Sequence, residues 1–414
     1  MSKIIIVGGG FGGVRAALDL EKKLGDRAEI TLIDRNGYHF FAPALYEVAS
    51  AFGLAKDRFS VNLRKTVSIP YGDIFEGKRI QFVQAEVVHI SLEQRILTTK
   101  SDISFSFDYL ILALGSQTAD FNIPGVKEYA FQFKTIEDAL MLNHQLMMLF
   151  EKASRGDHDL PLKFVVGGGG FAGVELAAEL ACAVKHLEKK YQIGSGHSII
   201  TLAEAGPKIL PQISDRERAI ITRRLTELGV AIKINATIEE IKSDLVKLKD
   251  GRSLTGHIIV WTAGIRATDF IKTIQGLDLT ADGKIIVDEH LNTPRYDHIF
   301  AVGDSIEFID HKTQRPEPAL AYVAVRHGQV VANNIFRTLQ NRKLREHVPF
   351  YAFWIAPVGG KYAVAHLWAG ISVKGLLGWV IREIVDFRYF ISILSFRKAW
   401  RLFREEVQIF IKND

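Results

Sequence analysis

Lys3-Ile4-Ile5-Ile6-Val7-Gly8-Gly9-Gly10-Phe11-Gly12-Gly13 begins with a β-branched apolar run and passes at once into a glycine-rich turn. The run has the length of a buried strand, and Val14 to Leu20 reads as a helix. Strand, G-x-G-x-x-G turn and helix in this order let the backbone bend sharply and approach a pyrophosphate. The helix N-terminus adds free N–H groups and a positive dipole end. A second apolar run, Ile30-Thr31-Leu32-Ile33, ends in Asp34, 26 residues beyond Gly8, where a carboxylate can hold a ribose hydroxyl. These residues predict a Rossmann-type dinucleotide-binding unit.

The pattern returns in the middle of the chain. Leu162-Lys163-Phe164-Val165-Val166 is a predicted strand, and Gly168-Gly169-Gly170-Phe171-Ala172-Gly173 is a second G-x-G-x-x-G turn. Val174 to Leu180 starts its helix, and the strand Ser198 to Ala203 leads to Glu204. The gap from Gly168 to Glu204 is longer than in the first unit, and an extension of the helix through Lys185–Tyr191 accounts for it. Two such fingerprints in one chain are far more specific than one.

Between and after the two units, the aromatic stretch Tyr38 to Glu47 around Pro43 reads either as a packed loop or as a loop lying against an aromatic cofactor. Ile80–Gln84 and Arg95–Leu97 alternate in polarity and predict a small antiparallel ribbon. Phe107 to Ser116 is a buried strand closed by Gly115, and Pro124-Gly125 marks a crossing point. Ile258 to Gly264 is a strand ending in a small-residue turn, Asp282 to Asp288 a hairpin, and His298 to Asp304 a strand with an acid at its tip, where open α/β sheets bind ligands. Pro316-Glu317-Pro318 precedes a helix from about Ala319 to Leu339, with a proline suited to its first turn. Residues 346–414 change character. Phe396, Trp400, Phe403, Val407 and Phe410 share one helical face, and Arg397, Arg401, Arg404 and Lys412 share another. This predicts a basic amphipathic helix, preceded by an apolar segment from Leu376 to Leu394, which either lies on a membrane surface or packs on the body or on a second subunit as a homodimer contact.

The chain has 414 residues, 48% of them hydrophobic and 24% charged, which suits two or three globular domains. The net charge of +5 is compatible with anionic lipid, but no interleaved contact motif speaks for nucleic acid, and none is expected as a partner. The first strand starts so early that no signal peptide is expected, and no run of about 18 uncharged apolar residues predicts a spanning helix. Cys182 is the only cysteine, which rules out a dithiol redox centre and suits a reducing cytoplasm. No His, Cys or carboxylate grouping has metal-ligand spacing, so no metal is expected. Two dinucleotide sites without metal, dithiol or triad point to electron transfer between two cofactors, FAD held by the first unit and NADH by the second.

These motifs resemble those of the type II NADH:quinone oxidoreductases, and the resemblance runs from Ile4 to the C-terminal helices. It implies an α/β fold with two Rossmann-like domains in a glutathione-reductase-like arrangement plus a C-terminal amphipathic helical region. The division expected is 1–122 and 279–345 for the FAD domain, 123–278 for the NADH domain and 346–414 for the membrane-surface region. The resemblance implies FAD contacts at Gly8, Gly10, Phe11, Gly12, Gly13, Asp34, Arg35, Pro43, Val87, Ala113, Gly115 and Asp304, and an NADH site at Gly168, Gly170, Phe171, Gly173, Glu204, Ala263 and Gly264. It implies a glutamate, Glu175, near nicotinamide and quinone, and peripheral attachment at the cytoplasmic face of the membrane. One departure stands out. The family's Ala-Gln-x-Ala-x-Gln quinone signature reads Ala321-Tyr322-Val323-Ala324-Val325-Arg326, so Tyr322 and Arg326 take the places of both glutamines. Tyr322 can stack beside a quinone and Arg326 can face an anionic flavin or an acidic acceptor, or both are framework residues. Sulfide:quinone oxidoreductases share the scaffold but need a cysteine pair. A ferredoxin or rubredoxin reductase, and an NADH-sensing flavoprotein without turnover, stay open as alternatives.

Glu204 should also set the nucleotide preference, because its carboxylate repels a 2′-phosphate. The Michaelis constant for NADPH is expected to be well above that for NADH; equal constants would refute this role.

Overall fold

In a computed structural model, residues 1–52, 59–350, 353–367 and 370–410 are described. The first apolar run becomes the strand Ser2–Val7, buried from Ile4 to Val7 because strands pair with it on both sides. It lies in a six-stranded sheet in the order Asn292–Thr293, Tyr296–Ala301, Tyr109–Leu112, Ser2–Val7, Ala28–Asp34 and Ile80–Gln84, parallel except for the first. The second unit forms a five-stranded parallel sheet in the order Phe131–Gln132, Ile258–Trp261, Leu162–Gly167, Ser198–Ala203 and Val230–Lys233. In both sheets the strand feeding the glycine turn has a neighbour on either side, so each turn sits where the strand order reverses, the crevice in which such sheets take ligands. These are Rossmann-like cores, as expected. The turns open the helices Phe11–Leu24 and Phe171–Tyr191. The second helix has 21 residues against 14 in the first, which is the source of the longer spacing to Glu204.

A short antiparallel ladder, Ser116–Thr118 with Ile265–Ala267, ties the two units together directly beyond Gly115 and Gly264. Trp261 Nε1 donates to the Ala119 carbonyl at 2.7 Å across the same junction. Helix Ala321–Thr338 packs against Phe11–Leu24 at very close range, since a Cβ on Gly328 would stand 2.4 Å from the Gly12 carbonyl oxygen. The C-terminal region adds a three-stranded antiparallel sheet, Trp354–Pro357, Ala363–His366 and Ser372–Gly375, followed by helices Leu376–Ile393 and Phe396–Phe410.

Several expectations are corrected. Ile80–Gln84 does not form the ribbon; it extends the six-stranded sheet in parallel with Ile30–Asp34. As an edge strand it has one solvated face, which gives it the alternation of a ribbon strand. The ribbon is formed by Val87–Ser91, Ile96–Thr99 and Ser104–Ser106. Of the hairpin at Asp282–Asp288 only the turn and one bridge, Leu279 to Ile285, exist; Ile285–Ile286 then pairs in parallel with Ile306–Glu307. The helix after Pro318 begins at Ala321 with Leu320 as its cap, so neither proline is in its first turn, and Pro316 sits in a short strand with Ile309–Asp310.

On the last helix, Phe396 and Trp400 are exposed, Phe403 and Val407 are half-buried, and Arg397, Arg401 and Arg404 face solvent. Lys412 and the Phe410 side chain lie outside the described residues. Ala399 and Glu406 turn inward, so an ionisable residue sits on the packed face. Lys398 Nζ fastens this helix to the body through Asp73 at 2.6 Å and Glu76 at 2.8 Å.

The preceding helix reaches the first glycine turn. His39 is fully buried, with Nδ1 donating to the Gly9 carbonyl at 2.9 Å, so Nε2 accepts from the Tyr389 hydroxyl at 2.7 Å. Both ring nitrogens are satisfied only in the neutral form. Burial therefore holds the imidazole at about 4, against the pull of the Gly9 carbonyl. A folded-state value below the unfolded one means that stability is present at neutral pH and is lost as pH falls from about 6.5 toward 4. Chemical denaturation should show this side chain costing up to about 3 kcal/mol over that range. The loss should shrink in His39→Gln, and an equal pH dependence in the two proteins would contradict it.

Candidate active site

Each glycine turn is locked to the strand beside it by an acid. Asp34 Oδ2 accepts from Gly9 N at 2.6 Å and Oδ1 from Asn36 N at 2.7 Å. Glu204 repeats this, accepting from Gly169 N and Gly206 N at 2.6 Å each. Burial raises the Asp34 carboxyl despite those amide bonds. Each carboxylate oxygen keeps a lone pair for a ribose hydroxyl.

The turns themselves are crowded on one side and open on the other. A Cβ on Gly13 would stand 1.9 Å from the Gly8 carbonyl oxygen, and one on Gly173 would stand 1.9 Å from that of Gly168. Gly8 and Gly168 have φ of +104° and +113° and press on Ala113 and Ala263. At Gly10 and Gly170 a Cβ would meet no protein atom within 4 Å. These are the cap positions at the two helix N-termini, and the free space there is what a pyrophosphate needs.

Around the first turn, Phe11 stacks edge-on to His39 with centroids 4.9 Å apart, and Gly12 carries the close approach of Gly328. Pro43 sits in the 3-10 turn Ala42–Ala44, Val87 starts its ribbon strand half-buried, and Arg35 is exposed. Asp304 follows Gly303, whose φ of +77° turns the chain at the strand end. The fold adds partners that no motif flagged: Ser116 Oγ donates to Asp304 Oδ2 at 2.7 Å, and Lys134 Nζ donates to Ser116 Oγ at 2.9 Å and lies 3.6 Å from Asp304. Lys134 and Asp304 come from distant segments, so only the tertiary structure brings them to Ser116 beside the Gly115 turn. Around the second turn, Phe171 packs on Trp354 at 5.6 Å, and Gly264 approaches Phe121.

Glu175 stands on helix Phe171–Tyr191, partly buried. Burial pushes its carboxyl up to about 8, with Glu47 and Asp386 adding to the rise and Arg382 opposing it. Tyr322 and Arg326 are bound to another segment: the Tyr322 hydroxyl donates to the Phe350 carbonyl at 2.9 Å and Arg326 Nη2 to that of Val348 at 3.1 Å. Burial pushes the Tyr322 hydroxyl up to about 12.

The fold also gathers Glu317, His327 and His347, which the sequence spacing hid. Gly303 N donates to His327 Nδ1 at 3.2 Å, which leaves the proton on Nε2, 2.9 Å from Glu317 Oε2. His347 Nε2 reaches the same oxygen at 2.8 Å. Burial opposes ionisation of Glu317, but the two imidazoles outweigh it and hold the carboxyl at about 2. With Nε2 of His327 carrying a proton, the trio acts as a brace behind the Gly303–Asp304 turn.

Two Rossmann cores with matching turns, yoked by one ladder, define a two-dinucleotide oxidoreductase, and the comparisons agree. The pyridine nucleotide-disulphide oxidoreductase family matches residues 2–328. The type II NADH:quinone oxidoreductase of Staphylococcus aureus is 30% identical over 407 residues, covering 96% of this chain and 98% of that protein; its counterpart in Staphylococcus saprophyticus is 29% identical over the same shares. In fold, the chain resembles NDH2 from Plasmodium falciparum, solved in complex with NADH, with a TM-score of 0.84, 19% identity and 98% of each chain covered. It also resembles the sulfide:quinone oxidoreductase of Aquifex aeolicus, with a TM-score of 0.76, 20% identity and 98% and 92% covered. The chain belongs to the type II NADH:quinone oxidoreductases, the NADH dehydrogenases that do not pump protons.

The asymmetry of the turns sets up a contrast between two alanine substitutions. Gly13→Ala should cost about 1–3 kcal/mol of stability through the clash with Gly8. Gly10→Ala should leave the unfolding midpoint of the apoprotein nearly unchanged and weaken dinucleotide retention at least tenfold, as read by equilibrium dialysis. Equal behaviour of the two variants would contradict the open position.

Proposed function

We propose that this chain holds FAD at the first glycine turn, takes NADH at the second and reduces a quinone at a membrane surface. The observation that carries the reading is the pair of open cap positions, Gly10 and Gly170, on two turns yoked by the Ser116–Thr118 and Ile265–Ala267 ladder. Asp34, Ala113, Gly115 and Asp304 would complete the FAD site, with Ser116 and Lys134 orienting Asp304. Glu204, Ala263 and Gly264 would complete the NADH site. FAD supplies, when bound, the two-electron link between NADH and quinone.

Glu175 is the proton donor of this reading. Its carboxyl keeps a proton at neutral pH because burial outweighs Arg382. Tyr322 and Arg326 serve in it as framework, since both are engaged with the backbone at 348–350. That engagement of Arg326 weakens the alternative of an acidic protein acceptor. The exposed apolar side chains Leu376, Leu377, Ile384, Phe396 and Trp400 support attachment through the C-terminal helices to a membrane surface. Among the described residues no helix is long and apolar enough to cross a membrane.

Anaerobic mixing with NADH should bleach the flavin absorbance, and a soluble quinone should restore it. Bleaching without recovery would overturn the quinone and favour a protein acceptor. Glu175→Gln should bleach normally but recover about 10²-fold more slowly. In the wild type, recovery should slow as pH rises through about 8, where Glu175 loses its proton.

A further inference from the structure

Four helices meet beneath the C-terminal region around a small cavity lined by Glu47, Glu179, Arg382, Glu383 and Glu406. Helix Leu45–Ser50 contributes Tyr46 and Glu47, and helix Phe171–Tyr191 contributes Glu179, with Glu175 one turn earlier on the same helix. Helix Leu376–Ile393 contributes Arg382, Glu383 and Asp386, and the last helix contributes Glu406. Arg382 is the one guanidinium facing these acids among the described residues. Its Nη1 pairs with Glu47 and lies 3.2 Å from Glu383, and its Nε lies 3.2 Å from Asp386. The Tyr46 hydroxyl donates to Glu47 at 3.1 Å.

This charge balance does not close if every acid is ionised. Glu47, Asp386 and Glu406 are 6%, 8% and 3% exposed, so water compensates none of them well. Neither carboxyl oxygen of Glu406 has a hydrogen-bond partner, and Glu47 Oε2 also lacks one. Leaving such groups charged costs several kcal/mol each, so the cluster must take up positive charge. Among the described residues these oxygens do not converge in the manner of a metal cage; the only such group is Glu317, His327 and His347. Protons are the remaining way to neutralise it. Burial, reinforced by Asp386 and Glu47, drives the Glu406 carboxyl well above the usual range, and burial likewise raises Asp386 against Arg382. Glu175 stands within electrostatic reach of Glu47, Asp386 and Arg382.

We propose that Glu406, with Glu47 and Asp386 around Arg382, forms a buried proton-holding site that resupplies Glu175 during quinone reduction. This rests on the quinone-reducing reading above. In that reaction NADH gives up a hydride, which supplies two electrons and one proton. The quinone accepts the two electrons and needs two protons to become the quinol. Glu175 delivers the second, breaking its O–H bond as the quinol O–H forms, and the resulting carboxylate is reprotonated from Glu406, which refills from solvent. Glu406 is a positioning and supply residue, since it acts through Glu175.

Two measurements test the site. Infrared spectra of the wild-type holoenzyme at about pH 8 should contain a protonated-carboxyl C=O band that Glu406→Gln removes; absence of that band in the wild type would overturn the site without reliance on any variant. In stopped flow, Glu406→Gln should bleach with NADH at the wild-type rate, recover with quinone at least tenfold more slowly at about pH 8, and show its decline with pH at lower pH than the wild type. An unchanged pH profile would overturn the supply role. Failure of quinone to oxidise the bleached wild-type protein would instead defeat the quinone reading, and the infrared band would still decide the proton-holding site.

Discussion

The architecture hangs on a carboxylate taking the backbone N–H of a glycine. In both units the acid at the tip of the second strand binds the middle glycine of the turn at the tip of the first, at 2.6 Å in each case. A charge-assisted bond of this kind is stronger than a neutral one, and here it fixes a segment with no side chains of its own to pack. Because the turn is held, the helix behind it starts at a defined place and its amides face open space. The two units arrive at this with different side chains, Asp34 and Glu204, and with helices of different length, so the bond is the shared element.

The C-terminal region does more than cap the body. Tyr389 completes the hydrogen bonding of His39 directly behind Gly9, Lys398 anchors to Asp73 and Glu76, and Arg382 neutralises part of an acidic pocket that also touches the helix of the second turn. One helix thus contacts the surroundings of both dinucleotide turns. It exposes Leu376, Leu377, Val380, Ile384 and Ile391 while burying Arg382 and Asp386 beside Phe390 and Ile393, so charge is packed inside and apolar surface is left outside. Exposed apolar side chains of this kind are the surface on which the proposed membrane attachment rests.

Much of this was legible in the sequence because it is local. Both glycine turns, the acids at the strand tips and the strand feeding Asp304 depend on residues near one another in the chain, and their periodicity and spacing carry the signal. What was not legible depends on distance. Ser116 and Lys134 reach Asp304 from segments that no motif connects, and His327 and His347 meet Glu317 only after the chain has folded back. Ile80–Gln84 was misplaced because an edge strand and a ribbon strand show the same alternation. Glu406 was hidden by the strong aromatic pattern around it, which gave no reason to expect an acid on the inner face.

The three-residue ladder between the units is made of backbone groups alone. The pairing of Ser116–Thr118 with Ile265–Ala267 therefore does not depend on which side chains stand there, although Gln117 Nε2 to Asp269 at 2.8 Å and Trp261 Nε1 to the Ala119 carbonyl at 2.7 Å add side-chain ties across the same junction. Relatives sharing under a third of their residues with this chain can keep the same interval between the two glycine turns, because the ladder is written in amides and carbonyls, which no codon change other than one to proline removes.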